Sequence, residues 1–258
     1  PETGEKRIDI LKRHAAYDKA KTNKPYTTEY RIGGNVPEIL EKYGISEYLR
    51  DVNKQTDEIV FKLLDFVCDH FGHNGSGGLP PERKIEDIIE FCEQHGGKTN
   101  CRGLSILLAS LLRLYGIKAR HITCMPYEEP FSDCHVVVDC LLPSGKRVML
   151  DPTYRMYLKD SEDRYISLEA LRKMLIGGEE FYINENASYN GNELDKEYHR
   201  NYMIKNTFRF SRGIFYDNGS DDRVKRRVEL IPVNYPTEKF DDSAKADFVY
   251  NDEEFWKM

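Results

Sequence analysis

A cysteine placed to open a helix, a histidine that begins a strand and an aspartate on the strand after it are the residues here that could do chemistry. Cys101 follows Gly96-Gly97-Lys98-Thr99-Asn100 and enters an apolar run that reaches Tyr115. The thiolate is the reactive form of cysteine, and the free amides and dipole at a helix N-terminus lower its pKa. Thr99 and Asn100 are both capping types, so the helix is expected to start at the sulfur. The same amides could hold a negative oxygen formed on a substrate. A lone cysteine there would equally serve as a small residue entering a buried helix, so its partners decide.

His135 opens the run His135-Val136-Val137-Val138-Asp139-Cys140, which reads as a strand. Residues two apart share a face, so His135, Val137 and Asp139 lie together. The turn Leu142-Pro143-Ser144-Gly145-Lys146 follows, and Gly145 suits the left-handed residue of a three-residue hairpin loop. If Leu142 faces Lys146, Val137 faces Asp151, which then shares the His135 face diagonally across the pair. Diagonal neighbours stand roughly 7–8 Å apart and meet through their side chains. A carboxylate there accepts the imidazole N–H and fixes its tautomer. A two-residue loop would send Asp151 to the other face. Alone, His135 could be a core histidine, and Asp151, before Pro152, a turn residue. Together they supply the base and the orienting group that a cysteine nucleophile needs.

To bring these three together the chain needs a helix lying on a sheet, and the apolar pattern predicts one. Residues 1–56 are polar and mixed, with surface helices expected at 8–19 and 37–42. From Asp57, the apolar residues Ile59, Val60, Leu63, Leu64, Val67 and Phe71 recur at helical spacing, with Thr56 or Asp57 as cap and Gly72 as stop. A loop rich in Gly and Pro covers 73–82. Ile85, Ile88, Ile89 and Cys92 mark a second helix that ends at Gly96-Gly97. The third, from Cys101 to Tyr115, is apolar almost all round, which predicts a buried central helix ended by Gly116.

The period then turns strand-like, with strands expected at 118–125, 135–142 and 146–150, and a helix at 167–175 capped by Ser167. Further strands at 208–216 and 223–233 would be joined by a turn at 217–220. The acidic, aromatic tail from Thr237 carries no assignment. Helices first and antiparallel strands afterwards indicate an α+β fold. The expectation is a single domain over 1–258, its core at about 57–158, with a helical extension before it and a strand extension and tail from 159 onward.

Composition removes several other classes. With 38 Lys and Arg against 44 Asp and Glu, the formal net charge is −6 at pH 7. The one basic run, at 223–227, reads as a solvated strand face, so nucleic acid is not an expected partner. No apolar stretch reaches the ~20 residues that span a bilayer, so no membrane partner is expected either. The polar start has no signal-peptide core, although a leader removed earlier would leave the same sequence. The six cysteines include no C-x-x-C pair and mostly sit in apolar periodic segments, which favours reduced thiols and a cytoplasmic setting. A zinc site on Cys124, Cys134, His135 and Cys140 would need a spacing unlike the common fingers, and Cys134 and His135 point to opposite faces of a strand. With no dinucleotide or phosphate loop either, neither a cofactor nor a metal is expected.

Three stretches, NCRGLSILLASLLRLYGIKARHITC from Asn100, DCHVVVDCLL from Asp133 and VMLDPTYRMYL from Val148, resemble the transglutaminase-like superfamily over about 57–158. In that superfamily, of papain-like fold, a cysteine starts the central helix, a histidine begins one strand and an aspartate ends the next, often before Pro-Thr. The resemblance implies a Cys-His-Asp triad of Cys101, His135 and Asp151 acting on an amide or ester carbonyl. It leaves the substrate open, since the superfamily includes cross-linking enzymes, peptidases, deglycosylating amidases and inactive members.

Beside the Cys101 amide, a second oxyanion donor is sought at Gln94, where related papain-fold enzymes place a glutamine at a different spacing, or at Asn100 or Asn74. Tyr154 and Arg155 are expected at the cleft, with Tyr154 equally suited to packing, while His70, His73 and His95 read as surface residues. The upstream tryptophan of the cross-linking members is absent, Trp256 being the only tryptophan. That shifts the expectation toward hydrolysis of a peptide, protein or other amide, as in a cysteine peptidase or amidase. A protein-glutamine transglutaminase and a non-catalytic binding module of the same fold are the alternative readings.

Overall fold

Apolar periodicity sets where the N-terminal part of the chain is helical. In the computed structural model, residues 6–21, 26–217, 227–237 and 246–258 are described. Helix α1 (Arg7–Arg13) buries Ile10 and Leu11 and stops well short of the expected 8–19. Past His14 the chain leaves the helix, and the Arg172 guanidinium takes the freed carbonyls of His14 and Ala15. After β1 (Glu29–Tyr30), the segment expected as a helix at 37–42 is a 3-10 turn, Glu38–Tyr43, followed by the short α2 (Ile45–Tyr48).

Helix α3 (Glu58–His70) buries the predicted stripe, with Phe66 added to it. Its expected cap fails. The Asp57 side chain instead accepts from the N–H and hydroxyl of Ser144, tying this helix to the distant turn. Then come β2 (Gly72–His73), α4 (Ile85–Gln94), β3 (Lys98–Thr99) and the central α5 (Cys101–Leu114), which is buried from Gly103 through Arg113.

The sheet follows as β4 (Ala119–Met125), β5 (His135–Leu141), β6 (Arg147–Asp151) and β7 (Met156–Lys159). Next are α6 (Leu168–Gly177), β8 (Tyr182–Ile183), α7 (Lys196–Asn206), β9 (Arg209–Gly213) and β10 (Phe215–Tyr216). The chain closes with β11 (Arg227–Leu230), β12 (Ala246–Val249) and α8 (Asp252–Trp256). The single strand expected at 208–216 is interrupted at Ile214, and its second piece, β10, leaves to pair with β1. The turn at 217–220 lies largely outside the described residues, as does the basic run except Arg227.

Eight strands form one sheet in the order β12-β11-β9-β4-β5-β6-β7-β8, antiparallel throughout except where β12 joins β11. One apolar core joins α3, α4 and α5 to Ala119, Val138, Cys140, Val148 and Leu150. A second joins α1, α6, α7 and α8 to Ile122, Cys124, Val137 and Met149 on the other face. The expected α+β arrangement, a buried helix on an antiparallel sheet, is present. It is backed by a second helical layer, of which the sequence pattern indicated α1 and α6 but not α7 or α8. Among the described residues, no helix is long and apolar enough to cross a membrane.

Candidate active site

Local chemistry at the start of α5 fixes the sulfur. Asn100 is extended, and its side-chain oxygen accepts from Gly103 N–H at 3.0 Å, the expected N-cap. Gly103 is required there, because a Cβ at that position would fall 2.3 Å from Thr99 Oγ1. Thr99 in turn donates to the carbonyl of Gly78 at 3.0 Å, closing the 73–82 loop over the helix end. Cys101 is left half-buried at the helix mouth.

The hairpin sets the other two residues. Leu142 N–H donates to Lys146 C=O at 2.8 Å, Gly145 is left-handed at φ 82°, and Val138 pairs with Leu150. That register puts Asp151 on the His135 face. His135 Nε2 lies 2.6 Å from Asp151 Oδ2, both side chains being buried, and Asp151 Oδ1 accepts from Thr153 N–H at 3.0 Å. Pro152 thus bends the chain so that the carboxylate caps its own turn. His135 Nδ1 is buried with no hydrogen-bond partner among the described residues, and Cys101 is close enough to His135 for each to shift the other's pKa.

The electrostatics follow from this chain of contacts. Burial disfavours ionising the thiol, but the neighbouring His135 and His73 outweigh it and bring Cys101 down to about 6. Burial likewise opposes protonation of His135, yet the Asp151 charge and the sulfur raise it to about 10. Asp151 is held well below the usual carboxylate range, its burial overcome by His135. These directions favour a thiolate–imidazolium pair at neutral pH, beside a carboxylate that stays charged.

Of the other expected site residues, Gln94 is exposed at the end of α4. Asn100 stays beside Cys101, its side-chain oxygen accepting in the cap, which leaves its Nδ2 as a donor. The Asn74 side-chain oxygen holds Ser76 in a turn. Tyr154 is buried and is a packing residue, its ring 5.9 Å from His135, 5.3 Å from His199 and 5.7 Å from Tyr189. Arg155 turns away to pair with Asp65 and Asp69 of α3. His70 and His95 bond to carbonyls one turn back in their own helices.

The structure adds three residues that sequence reasoning missed. His73, read as a surface residue, stands at the sulfur. Tyr202 of α7 packs edge-on against His135, ring centres 5.1 Å apart. His199, also of α7, is buried behind Asp151 with Nε2 at 3.8 Å from Oδ2, and neither of its ring nitrogens has a hydrogen-bond partner among the described residues. No helix was assigned at 196–206, because its apolar residues are few and mixed with charge.

Residues 44–152 match the sequence model of the transglutaminase-like superfamily. No curated protein matches the chain. Among solved structures, the crystal structure of a putative protease from Parabacteroides distasonis ATCC 8503 is similar, at 14% identity over 64% of this chain and a TM-score of 0.32. The match covers 31% of that protein, so the present chain spans only about a third of its length.

Proposed function

Because residues 44–152 belong to the transglutaminase-like superfamily, we propose that this protein is a thiol-dependent acyl-transfer enzyme that hydrolyses amide or ester bonds. Cys101 is the nucleophile, His135 the acid and base, and Asp151 the orienting group. The observation that carries this is the imidazole held between a carboxylate at 2.6 Å and the sulfur. The histidine next to that carboxylate also neighbours the only thiol whose pKa is lowered among those with a resolved shift.

The steps follow from that geometry. The Cys101 thiolate attacks the substrate carbonyl, forming a C–S bond and a tetrahedral oxyanion. The Cys101 backbone N–H, free at the helix start, donates to that oxygen. His135⁺ gives its Nδ1 proton to the leaving amine or alkoxide as the C–N or C–O bond breaks, leaving a thioester. Neutral His135 then takes a proton from water, whose oxygen attacks the thioester, and the acid leaves with the thiolate restored. Throughout, Asp151 keeps the imidazole proton on Nε2 and stabilises the imidazolium when it forms.

Water, rather than a second amine, is taken as the acceptor. The only tryptophan, Trp256, is buried in α8 against Phe210 and supplies nothing to the site.

The test is mass spectrometry of the intact chain after exposure to a panel of amides and esters, with Cys101→Ser as control. A Cys101-linked acyl adduct that water clears is expected. Iodoacetamide at neutral pH should label Cys101 ahead of the other five thiols, and His135→Ala should slow that labelling. Equal labelling of all six would favour a binding module of the same fold.

A further inference from the structure

The sulfur has a second imidazole beside it, and that imidazole is gripped by a part of the chain outside the matched core. Strand β2 pairs in parallel with β3, placing His73 opposite Thr99. Gly72 N–H donates to Gly97 C=O and Asn74 N–H to Thr99 C=O, each at 2.8 Å. These bonds tie the residues on either side of His73 to Gly97 and Thr99, in the segment that leads into Cys101.

From the other side comes Asn190. Its side-chain oxygen accepts from His73 N–H at 2.7 Å, and its Nδ2 donates to His73 C=O at 2.9 Å. One carboxamide thus makes both hydrogen bonds that a neighbouring strand would make. The ring is held as well, with Nδ1 3.1 Å from the Tyr189 hydroxyl.

The turn that presents Tyr189 and Asn190 is itself a fixed structure. Tyr189 and Asn192 exchange backbone hydrogen bonds, and Asn190 and Gly191 are both left-handed, at φ 50° and 81°. Ser188 N–H donates to Tyr154 C=O at 2.9 Å, anchoring the turn three residues beyond Asp151. The same turn therefore braces the His73 side and the Asp151 side of the site.

Tautomer and charge decide what His73 can do. If Nδ1 accepts from the Tyr189 hydroxyl, the proton sits on Nε2, the nitrogen left free to donate toward Cys101, whose pKa His73 lowers. The opposite tautomer would turn a lone pair toward a thiolate. His135 has a carboxylate behind it and can hold a positive charge, whereas His73 has only a neutral hydroxyl, which suits a hydrogen-bond donor and not a base. When the thiolate attacks, its charge moves to an oxygen one bond beyond the carbon it has joined. A donor already aimed at the sulfur needs little movement to follow it.

We propose that His73 is a catalytic residue whose Nε2–H hydrogen bonds the Cys101 thiolate at rest and the oxyanion as the C–S bond forms, with Tyr189 and Asn190 as its positioning residues. This rests on the acyl-transfer reading and supplies the second donor beside the Cys101 backbone N–H. No proton leaves His73 in the cycle.

The experiment uses the full chain with His73→Phe, His73→Asn and Tyr189→Phe, and two probes. Iodoacetamide alkylation against pH reads the thiolate without forming an oxyanion. The p-nitrophenolate burst from p-nitrophenyl acetate reads acylation, which does form one. His73→Phe is expected to slow acylation by about 10²–10³-fold, the loss typical of one oxyanion donor. The same change should move the alkylation midpoint upward from about 6 while leaving alkylation above pH 9 within about threefold. His73→Asn, which keeps an N–H donor, should recover about tenfold of the loss, and Tyr189→Phe should lose about tenfold.

Acylation by folded His73→Phe within about threefold of the natural chain, with Cys101 selectively alkylated in both, overturns the role of His73 and leaves the thiol enzyme standing. Natural Cys101 no more reactive than the other thiols sinks both.

Discussion

Asp139 on β5 and Asp151 on β6 are both fully buried carboxylates, on one face of adjoining strands, yet they are surrounded in opposite ways. Asp139 is gripped by two guanidiniums. Arg120 donates to its Oδ2 through Nε at 3.0 Å and Nη2 at 2.9 Å, and Arg147 reaches both oxygens at 2.8 and 2.9 Å. Arg120 spends its remaining donors on Thr28 and on the carbonyls of Trp256 and Lys257, so the network pins the end of the chain to the sheet. Among the described residues, no Lys or Arg pairs with Asp151. Its partners are a backbone N–H, one imidazole whose charge comes and goes, and a second imidazole left unpaired at 3.8 Å. Equal burial therefore says little about role. A carboxylate ringed by guanidiniums that never lose their protons is a rivet, and one facing titratable partners can take part in a proton cycle.

The largest expected effect breaks the two apart at once. Asp151→Asn keeps the shape of the side chain but offers an amide where the imidazole needs a carboxylate, so the wrong tautomer is held. A fall in kcat of about 10⁴-fold is expected, the size seen when the same change is made in a catalytic triad. The same variant in urea denaturation should stay within about 2 kcal/mol of the natural chain. A protein that instead fails to fold would make Asp151 a rivet too. The mirror experiment is Asp139→Asn, which leaves Arg120 buried with nothing to neutralise it. That should destabilise by about 3–5 kcal/mol, read by the urea midpoint, with selective alkylation of Cys101 unchanged at low denaturant.

Acidity sharpens the contrast further. The Cys101 thiol is brought down to about 6 and His135 raised to about 10, so the ion pair exists between those values. Acyl transfer should rise with pH through about 6 and fall through about 10, measured as the p-nitrophenolate burst across buffers of constant ionic strength. The sign for stability follows the folded and unfolded values. The His135 contribution is complete below its unfolded value of 6.5 and is lost as pH rises through about 10. The thiol contribution is complete above 9 and is lost as pH falls through about 6. Ser in place of Cys101 should abolish the lower limb of the stability profile and move the upper one to lower pH, because the sulfur helps to raise His135.

The same contrast marks where the sequence could be read. The β5–β6 pair was legible because loop length and Gly145 fix a register, and register fixes faces, so the side on which Asp151 lies follows from counting. Helix α5 was legible because a run apolar on every side must be buried. His73 was not, because β2 and β3 pair through only two residues, too few to show alternation, and its clamp Asn190 comes from 117 positions away. Gln94 was offered by the resemblance to papain-fold enzymes at a different spacing, and it lies exposed at the end of α4. Helix α7 was missed because its sequence, rich in Lys, Glu, Tyr and Asn, has little amphipathic signal, and its one buried histidine looked no different from the exposed ones.

That histidine gives the smallest effect and the finest test. His199 is fully buried, its burial keeps its pKa below the ordinary value, and neither ring nitrogen finds a partner among the described residues. An unpartnered buried polar group costs stability, and an apolar ring of similar shape removes the cost. His199→Phe should therefore raise the urea midpoint by about 1 kcal/mol if nothing else depends on the imidazole. Its Nε2, however, needs to move by less than about 1 Å to donate to Asp151 Oδ2. That bond would take up charge on the carboxylate whenever His135 gives its proton away. If His199 steadies Asp151 in this way, His199→Phe will gain stability and lose about three- to tenfold in kcat with KM unchanged. The high-pH limb of its activity profile should also shift upward, because without that bond the carboxylate holds the His135 proton more tightly. A variant more stable and just as active would make His199 a packing residue, and Asp151 would then be served by His135 alone.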